Sequence, residues 1–187
     1  KLRHICVFSI KKLMKSKENI VFVGMMGSGK SSVGRLVSKK LNLQFYDIDQ
    51  IIENELGMRI IKIFETKGER FFREMEEKIS IKVLRKNTSI ISLGGGAFLN
   101  KEVRQEVLNN HISIWLKWNN EILINRIRNN PKRPLAYKVS IPELLNLMKK
   151  RSKFYNKAMY AIKCDNLSKN KIVKEVLDIY GTEKISN

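Results

Sequence analysis

Eight residues near the start of the chain, Gly24-Met25-Met26-Gly27-Ser28-Gly29-Lys30-Ser31, have the spacing G-x-x-x-x-G-K-[ST]. Glycines let the main chain wind close around phosphate oxygens, and the free N–H groups at the start of a following helix add a positive dipole. In this pattern the lysine reaches the outer phosphates and the serine hydroxyl ligates Mg²⁺. Gly27, Ser28, Gly29, Lys30, Ser31 and Ser32 are therefore the expected contacts of a nucleotide such as ATP, with Lys30 on the solvent side. The competing reading, a glycine-rich turn with an exposed lysine, loses force because an apolar run precedes the motif and a helical pattern follows it.

Three further groups carry chemical potential. Asp47-Ile48-Asp49 closes a second apolar segment, and in extended chain residues i and i+2 point to the same side. Two carboxylates facing the phosphate loop could hold Mg²⁺ through water and accept a proton or hydrogen bond from an attacking hydroxyl. Acidic pairs at strand ends also cap helices. Gly94-Gly95-Gly96 follows another apolar segment and is expected to allow close backbone approach to a ligand, a plain tight turn being the alternative. Arg133-Pro134 lies in a basic, turn-rich stretch at 129–139, which is read as a lid closing over phosphates rather than a merely solvated loop. Phe71-Phe72-Arg73, and Arg151 with Tyr155, are less decipherable: bare sequence makes the aromatics core and the arginines surface.

The elements that must position these groups follow from periodicity. Strands are expected at 20–23, 44–48, 89–93, 113–116 and 161–164. Helices are expected after the phosphate loop and at 50–56, 60–84, 101–109, 120–128, 141–155 and 169–180, with breaks near Gly57 and Gly68. Strands alternating with helices mean a parallel sheet covered on both faces, whose ligands bind beyond the strands' C-terminal ends. The phosphate loop, the acidic pair and the glycine triplet all fall there.

Composition narrows the class. The 187 residues suit one domain, and 43% hydrophobic with 29% charged residues match a soluble globular protein. Apolar runs such as 20–23 and 112–116 fall far short of the roughly 18 to 20 residues that span a bilayer. The 37 basic against 18 acidic residues, net +19, attract polyanions without specifying one. Much of that excess reads as a general compositional bias. Two cysteines, Cys6 and Cys164, give neither a disulfide framework nor zinc spacing. Residues 1–18 are basic, lack the marks of a secretory signal, and are expected to be an incidental extension, a basic amphipathic arm that touches membrane or nucleic acid being the alternative.

Taken together, GMMGSGKSS, FYDID, GERFFREME, SLGGG, KRPL and the Arg151 to Tyr155 region resemble the shikimate kinase family, within the nucleoside-monophosphate-kinase-like group of P-loop folds. The resemblance implies a three-layer α/β fold with a five-stranded parallel sheet and small substrate-binding and lid subdomains. It implies ATP-dependent phosphorylation of the 3-hydroxyl of shikimate, with Mg²⁺, in a cytoplasmic monomer that engages neither nucleic acid nor membrane. It also implies shikimate contacts at Asp49, Arg73, Gly94, Gly95, Gly96 and Arg151, with Phe72 and Glu76 shaping that pocket. Lys30 and Arg133 fall on the transferring phosphate, Ser31 and Asp47 on Mg²⁺, and Arg126 beside the adenine. The catalytic set is then Lys30, Asp49 and Arg133. The domain is expected at 19–181, between the extension and a tail at 182–187. Arg133-Pro134-Leu135-Ala136 and Arg151-Ser152-Lys153-Phe154-Tyr155 depart from the family's R-P-L-L and R-x-P-x-Y, which implies an altered lid and a less rigid helix turn. Two rivals remain: another small-molecule kinase such as a gluconate kinase, and a basic nucleotide-dependent RNA-binding module.

Overall fold

A computed structural model describes residues 19–86, 88–128 and 139–185. The extension at 1–18, Arg133 and the rest of the lid up to 138 lie outside the described residues.

Five short strands build the sheet: β1 (Ile20–Val23), β2 (Gln44–Asp47), β3 (Ser89–Ser92), β4 (Ile112–Lys117) and β5 (Tyr160–Lys163). Their order is β2-β3-β1-β4-β5 and every neighbouring pair is parallel. All strands therefore end on one edge. β1 is central, flanked by β3 and β4, and Ile-Val-Phe-Val is buried throughout. A strand buried on both faces needs this unbroken apolar run. The edge strands β2 and β5 are partly exposed, as their mixed composition requires.

Among the described residues seven α-helices connect and cover the strands: α1 (Lys30–Leu41), α2 (Ile48–Leu56), α3 (Ile60–Leu84), α4 (Lys101–Asn110), α5 (Asn120–Arg128), α6 (Ile141–Tyr155) and α7 (Lys169–Ile185). α3 is kinked at Gly68, whose φ of 80° and ψ of 169° belong to a region essentially reserved for glycine. α6 starts in a capping box: Ser140 and Glu143 bond to each other's backbone N–H groups.

Two expectations need correction. Strand β2 stops at Asp47, and Ile48 already begins α2, so Asp49 projects from a first helical turn and not from an extended segment. The last helix runs through Gly181 to Ile185, so most of the expected tail is helical. The Tyr160 hydroxyl donates to Glu183 Oε1, which holds the added turn against β5, and the Thr182 hydroxyl donates within the helix to the Asp178 carbonyl.

At the opposite edge, where the strands begin, one buried amide joins three of them. Asn19 Nδ2 donates to the Leu84 carbonyl at 2.8 Å and lies 3.2 Å from His111 Nδ1. Its Oδ1 accepts from the Ser89 N–H at 2.8 Å and the Ser89 hydroxyl at 2.9 Å. Asn19→Ala strips these buried groups of their partners and should lower stability by roughly 2 to 4 kcal/mol. Urea unfolding of the two proteins measures it, and equal midpoints would mean that water replaces the amide.

Candidate active site

The phosphate loop turns from β1 into α1 through Gly29, the residue before the helix, at φ 91°. Lys30 is not on the solvent side: it is buried at 9% exposure, and its ammonium donates to the carbonyls of Gly24 at 2.8 Å and Met25 at 3.1 Å. The cation is thus held inside the curve of its own loop. Helix dipole, loop N–H groups and ammonium together favour an anion there.

Beyond β3, four charged side chains crowd the room left by the glycine triplet. A Cβ at Gly94 would collide with Glu76 Oε1 and stand 2.7 Å from Asp49 Oδ1. One at Gly95 would lie 3.1 Å from Arg151 Nη1 and 3.5 Å from the Met26 nitrogen, while one at Gly96 would strike the Arg73 guanidinium. None of the three has a positive φ. Their requirement is space, and the space serves side chains that approach the backbone as well as any ligand.

Three helices aim those side chains, with Asp49 on α2. On α3, Phe72 and Glu76 share a buried face, and Arg73 Nη1 donates to Glu76 Oε2 at 2.6 Å while Nη2 reaches Glu69 at 3.1 Å. The Arg73 guanidinium also lies 5.2 Å from the centre of the Phe72 ring. Burial pushes the Glu76 carboxyl above its ordinary range, and Arg73, then Arg151, pull it back. On α6, Arg151 is 8% exposed, and its Nε is buried with no hydrogen-bond partner among the described residues. A buried guanidinium with an unused N–H calls for an anionic ligand. One turn later, the Tyr155 hydroxyl donates to the Gly95 carbonyl. Burial pushes that phenol up to about 12, against the pull of Arg151, so it remains a neutral donor.

On the other flank of the phosphate loop, past β4, the Trp118 indole N–H donates to the Ser28 carbonyl at 2.9 Å. The Arg126 guanidinium lies 3.5 Å over the Trp118 ring. Ile127, the next residue on α5, bounds the space above Gly27.

A family model described as shikimate kinase matches residues 26–180. The chain belongs to the shikimate kinase family. It is 36% identical to the shikimate kinase of Bartonella quintana (strain Toulouse) over 179 residues, which is 94% of this chain and 85% of that protein. Against the shikimate kinase of Persephonella marina (strain DSM 14350 / EX-H1) it is 39% identical over 159 residues, 85% of this chain and 96% of that one. The solved shikimate kinase from Acinetobacter baumannii in complex with shikimate superposes with a TM-score of 0.83 at 29% identity, covering 92% of this chain and 98% of the other. A gluconokinase from Sinorhizobium meliloti 1021, at 18% identity and a TM-score of 0.56, shares the fold alone.

The residues that the sequence associates with this family fall into two groups about the phosphate loop. Asp49, Phe72, Arg73, Glu76, Arg151 and the triplet gather on the β3 side, and Arg126 stands on the β4 side. Gly27, Ser28, Gly29, Lys30, Ser31 and Ser32 form the loop and the first turn of α1. Ser31 and Asp47 are half-buried, and the described residues hold no cluster of three His, Cys, Asp or Glu able to cage a metal. A hydroxyl and a carboxylate are the hard oxygen donors that suit Mg²⁺, which keeps waters and shares its ligands with phosphates.

Sequence reasoning left two neighbours of the site unassigned. Tyr155 had a signal, four residues after Arg151 and so on the same helix face. Trp118 had none, because its partner Ser28 is 90 positions away.

The Glu76 shift has a measurable consequence. A carboxyl whose folded pKa is raised contributes stability that is fully present below its unfolded value and is lost as pH rises through the folded one. The stability of Glu76→Gln relative to the parent should therefore shift in the variant's favour between pH 4 and pH 7. Chemical unfolding at both pH values checks this, and a shift toward the parent would show that the two arginines outweigh burial.

Proposed function

We propose that this chain transfers the γ-phosphoryl group of ATP to the 3-hydroxyl of shikimate, giving shikimate 3-phosphate and ADP for chorismate and aromatic amino-acid synthesis. The observation that carries this reading is the convergence of Asp49, Arg73, Glu76 and Arg151 on the side-chain-free strip at 94–96, next to a phosphate loop. An acceptor with a carboxylate at one end and hydroxyls at the other suits such a strip. Neutral polyols offer two arginines no carboxylate to pair with.

In this reading Arg73 and Arg151 grip the shikimate carboxylate, and the unused Nε of Arg151 supplies one of the donors. Glu76 holds Arg73 in place at 2.6 Å and Phe72 backs its plane. Asp49 orients the 3-hydroxyl, whose oxygen bonds to the γ-phosphorus as the bond to the β–γ bridging oxygen breaks, and takes the proton late. Phosphoryl transfer asks mainly for in-line placement and neutralised oxygens. Lys30 and Arg133 supply that neutralisation, Lys30 by exchanging the Gly24 and Met25 carbonyls for phosphate oxygens. Mg²⁺, when bound with the nucleotide, spreads the charge of the outer phosphates, and Ser31 and Asp47 are the residues that would hold it. Arg126 lies beside the adenine. We take residues 19–181 as the catalytic unit of a cytoplasmic monomer, with 129–139 as its lid.

ADP release measured with shikimate, gluconate and RNA in parallel tests the reading. Saturable release with shikimate alone is expected, and turnover with gluconate or RNA instead would overturn it.

Lys30→Met should lower kcat by about a hundredfold or more, the loss expected for a charge-assisted contact made chiefly in the transition state. Since methionine also leaves two loop carbonyls without their donor, thermal melting belongs beside the kinetics. Near-normal turnover would remove Lys30 from the mechanism.

Arg73→Lys and Arg151→Lys keep the charge and lose the planar two-pronged grip. Each should weaken shikimate binding by roughly 1.5 to 3 kcal/mol and leave the KM for ATP nearly unchanged. Steady-state kinetics with both substrates decide, and a rise confined to the ATP KM would place these arginines on the nucleotide side.

A further inference from the structure

Trp118 makes two contacts that point at the same ligand. Its indole N–H holds the carbonyl of Ser28, the residue before Gly29 and the start of α1. Over its ring stands the Arg126 guanidinium, whose carbon is 3.5 Å from the ring centre. Trp118 itself is 8% exposed, whereas Arg126 is exposed, so the guanidinium rests with one side on the indole. The segment bearing Trp118 is firmly tied. The Lys117 carbonyl accepts from the Cys164 N–H at 2.8 Å, and the Asn119 N–H donates to Asp165 Oδ1 at 2.6 Å. Asn119 Oδ1 in turn accepts from the Glu121 N–H at 3.0 Å, at the start of the helix that carries Arg126.

A planar guanidinium stacks on aromatic faces, and one already held flat loses less freedom when a second flat ring arrives. The phosphate end of a nucleotide needs the loop in one conformation, and the base end needs a platform at a set distance from it. One indole serves both.

We propose that Trp118 is a positioning residue for the nucleotide, anchoring the phosphate loop through Ser28 and presenting Arg126 as a flat platform for the purine. This rests on the assignment of ATP to the phosphate loop. Trp118 touches neither phosphate nor base in this scheme and acts through Ser28 and Arg126.

Two variants separate its contacts: Trp118→Phe keeps a stacking face and loses the N–H, while Trp118→Leu loses both. Trp118→Leu should raise the KM for ATP about 5- to 20-fold, leave the KM for shikimate within about twofold, and narrow the preference for ATP over CTP. Trp118→Phe should keep the base preference and show its deficit in kcat, where an unanchored loop is felt. Trp115, the other of the two tryptophans, also lies beside Gly24 of the loop, so the emission is read in Trp115→Phe, where ADP should still change the signal of the remaining indole. An unchanged ATP KM in Trp118→Leu, or no ADP-induced emission change in Trp115→Phe, would overturn the proposal. A parallel loss of both substrates and of melting temperature in the two variants would overturn it as well, by making Trp118 a packing residue. ADP titration needs no acceptor, so a parent that binds ADP as stated but ignores shikimate would sink the acceptor assignment and leave this one standing.

Discussion

No side chain can stand at positions 94, 95 and 96 without displacing a charged group. Glu76 and Asp49 fill the place of the first, Arg151 that of the second and Arg73 that of the third. The steric vacancy beyond β3 thus lets α2, α3 and α6 bring opposite charges to one strip. Charges so enclosed are tolerable only as a set. Arg73 and Glu76 meet at 2.6 Å, and the Tyr155 hydroxyl ties the Gly95 carbonyl to the helix that carries Arg151. Removing one member of a buried ionic group leaves its partner uncompensated, which is why such groups behave as units.

Strand order does the rest of the placing. With β1 in the centre, the phosphate loop at its end has β3 on one side and β4 on the other. The acidic and basic cluster stands beyond β3 and the indole–guanidinium stack beyond β4. In the proposed reaction, the acceptor and the base lie on opposite flanks of the phosphates. A parallel sheet delivers this layout because all its strands finish on one edge.

What could be read from the chain alone follows the range of the interactions. The phosphate loop is contiguous, its chemistry is local, and its strand–loop–helix setting is as expected. Asp49 was placed on the right edge for the wrong reason, since a helix begun at Ile48 carries it there. The glycine triplet was legible as a place of close approach, yet which groups approach it depends on α3 and α6. Lys30 turns inward toward carbonyls five and six positions back, a curl of the backbone that composition does not announce. Family resemblance supplied Arg73, Glu76 and Arg151, whose solitary spacing reads as ordinary helix surface or core. Trp118 stays mute because its partner lies 90 positions away, and Tyr155, although spaced to share a face with Arg151, gives no hint of the Gly95 carbonyl 60 positions back.

The amide of Asn19 has a consequence for how the protein is made. Asn19 leads the described domain, but the groups it joins, Leu84, Ser89 and His111, are 65, 70 and 92 positions downstream. A ribosome releases the chain from the N-terminal end at roughly 5 to 20 residues per second. For several seconds, therefore, β1 is present without either neighbour, an apolar ribbon with two open edges. The sheet can be closed at its base only when the sixth tenth of the chain has emerged, and until then this strand is a natural client for whatever shields nascent chains from one another.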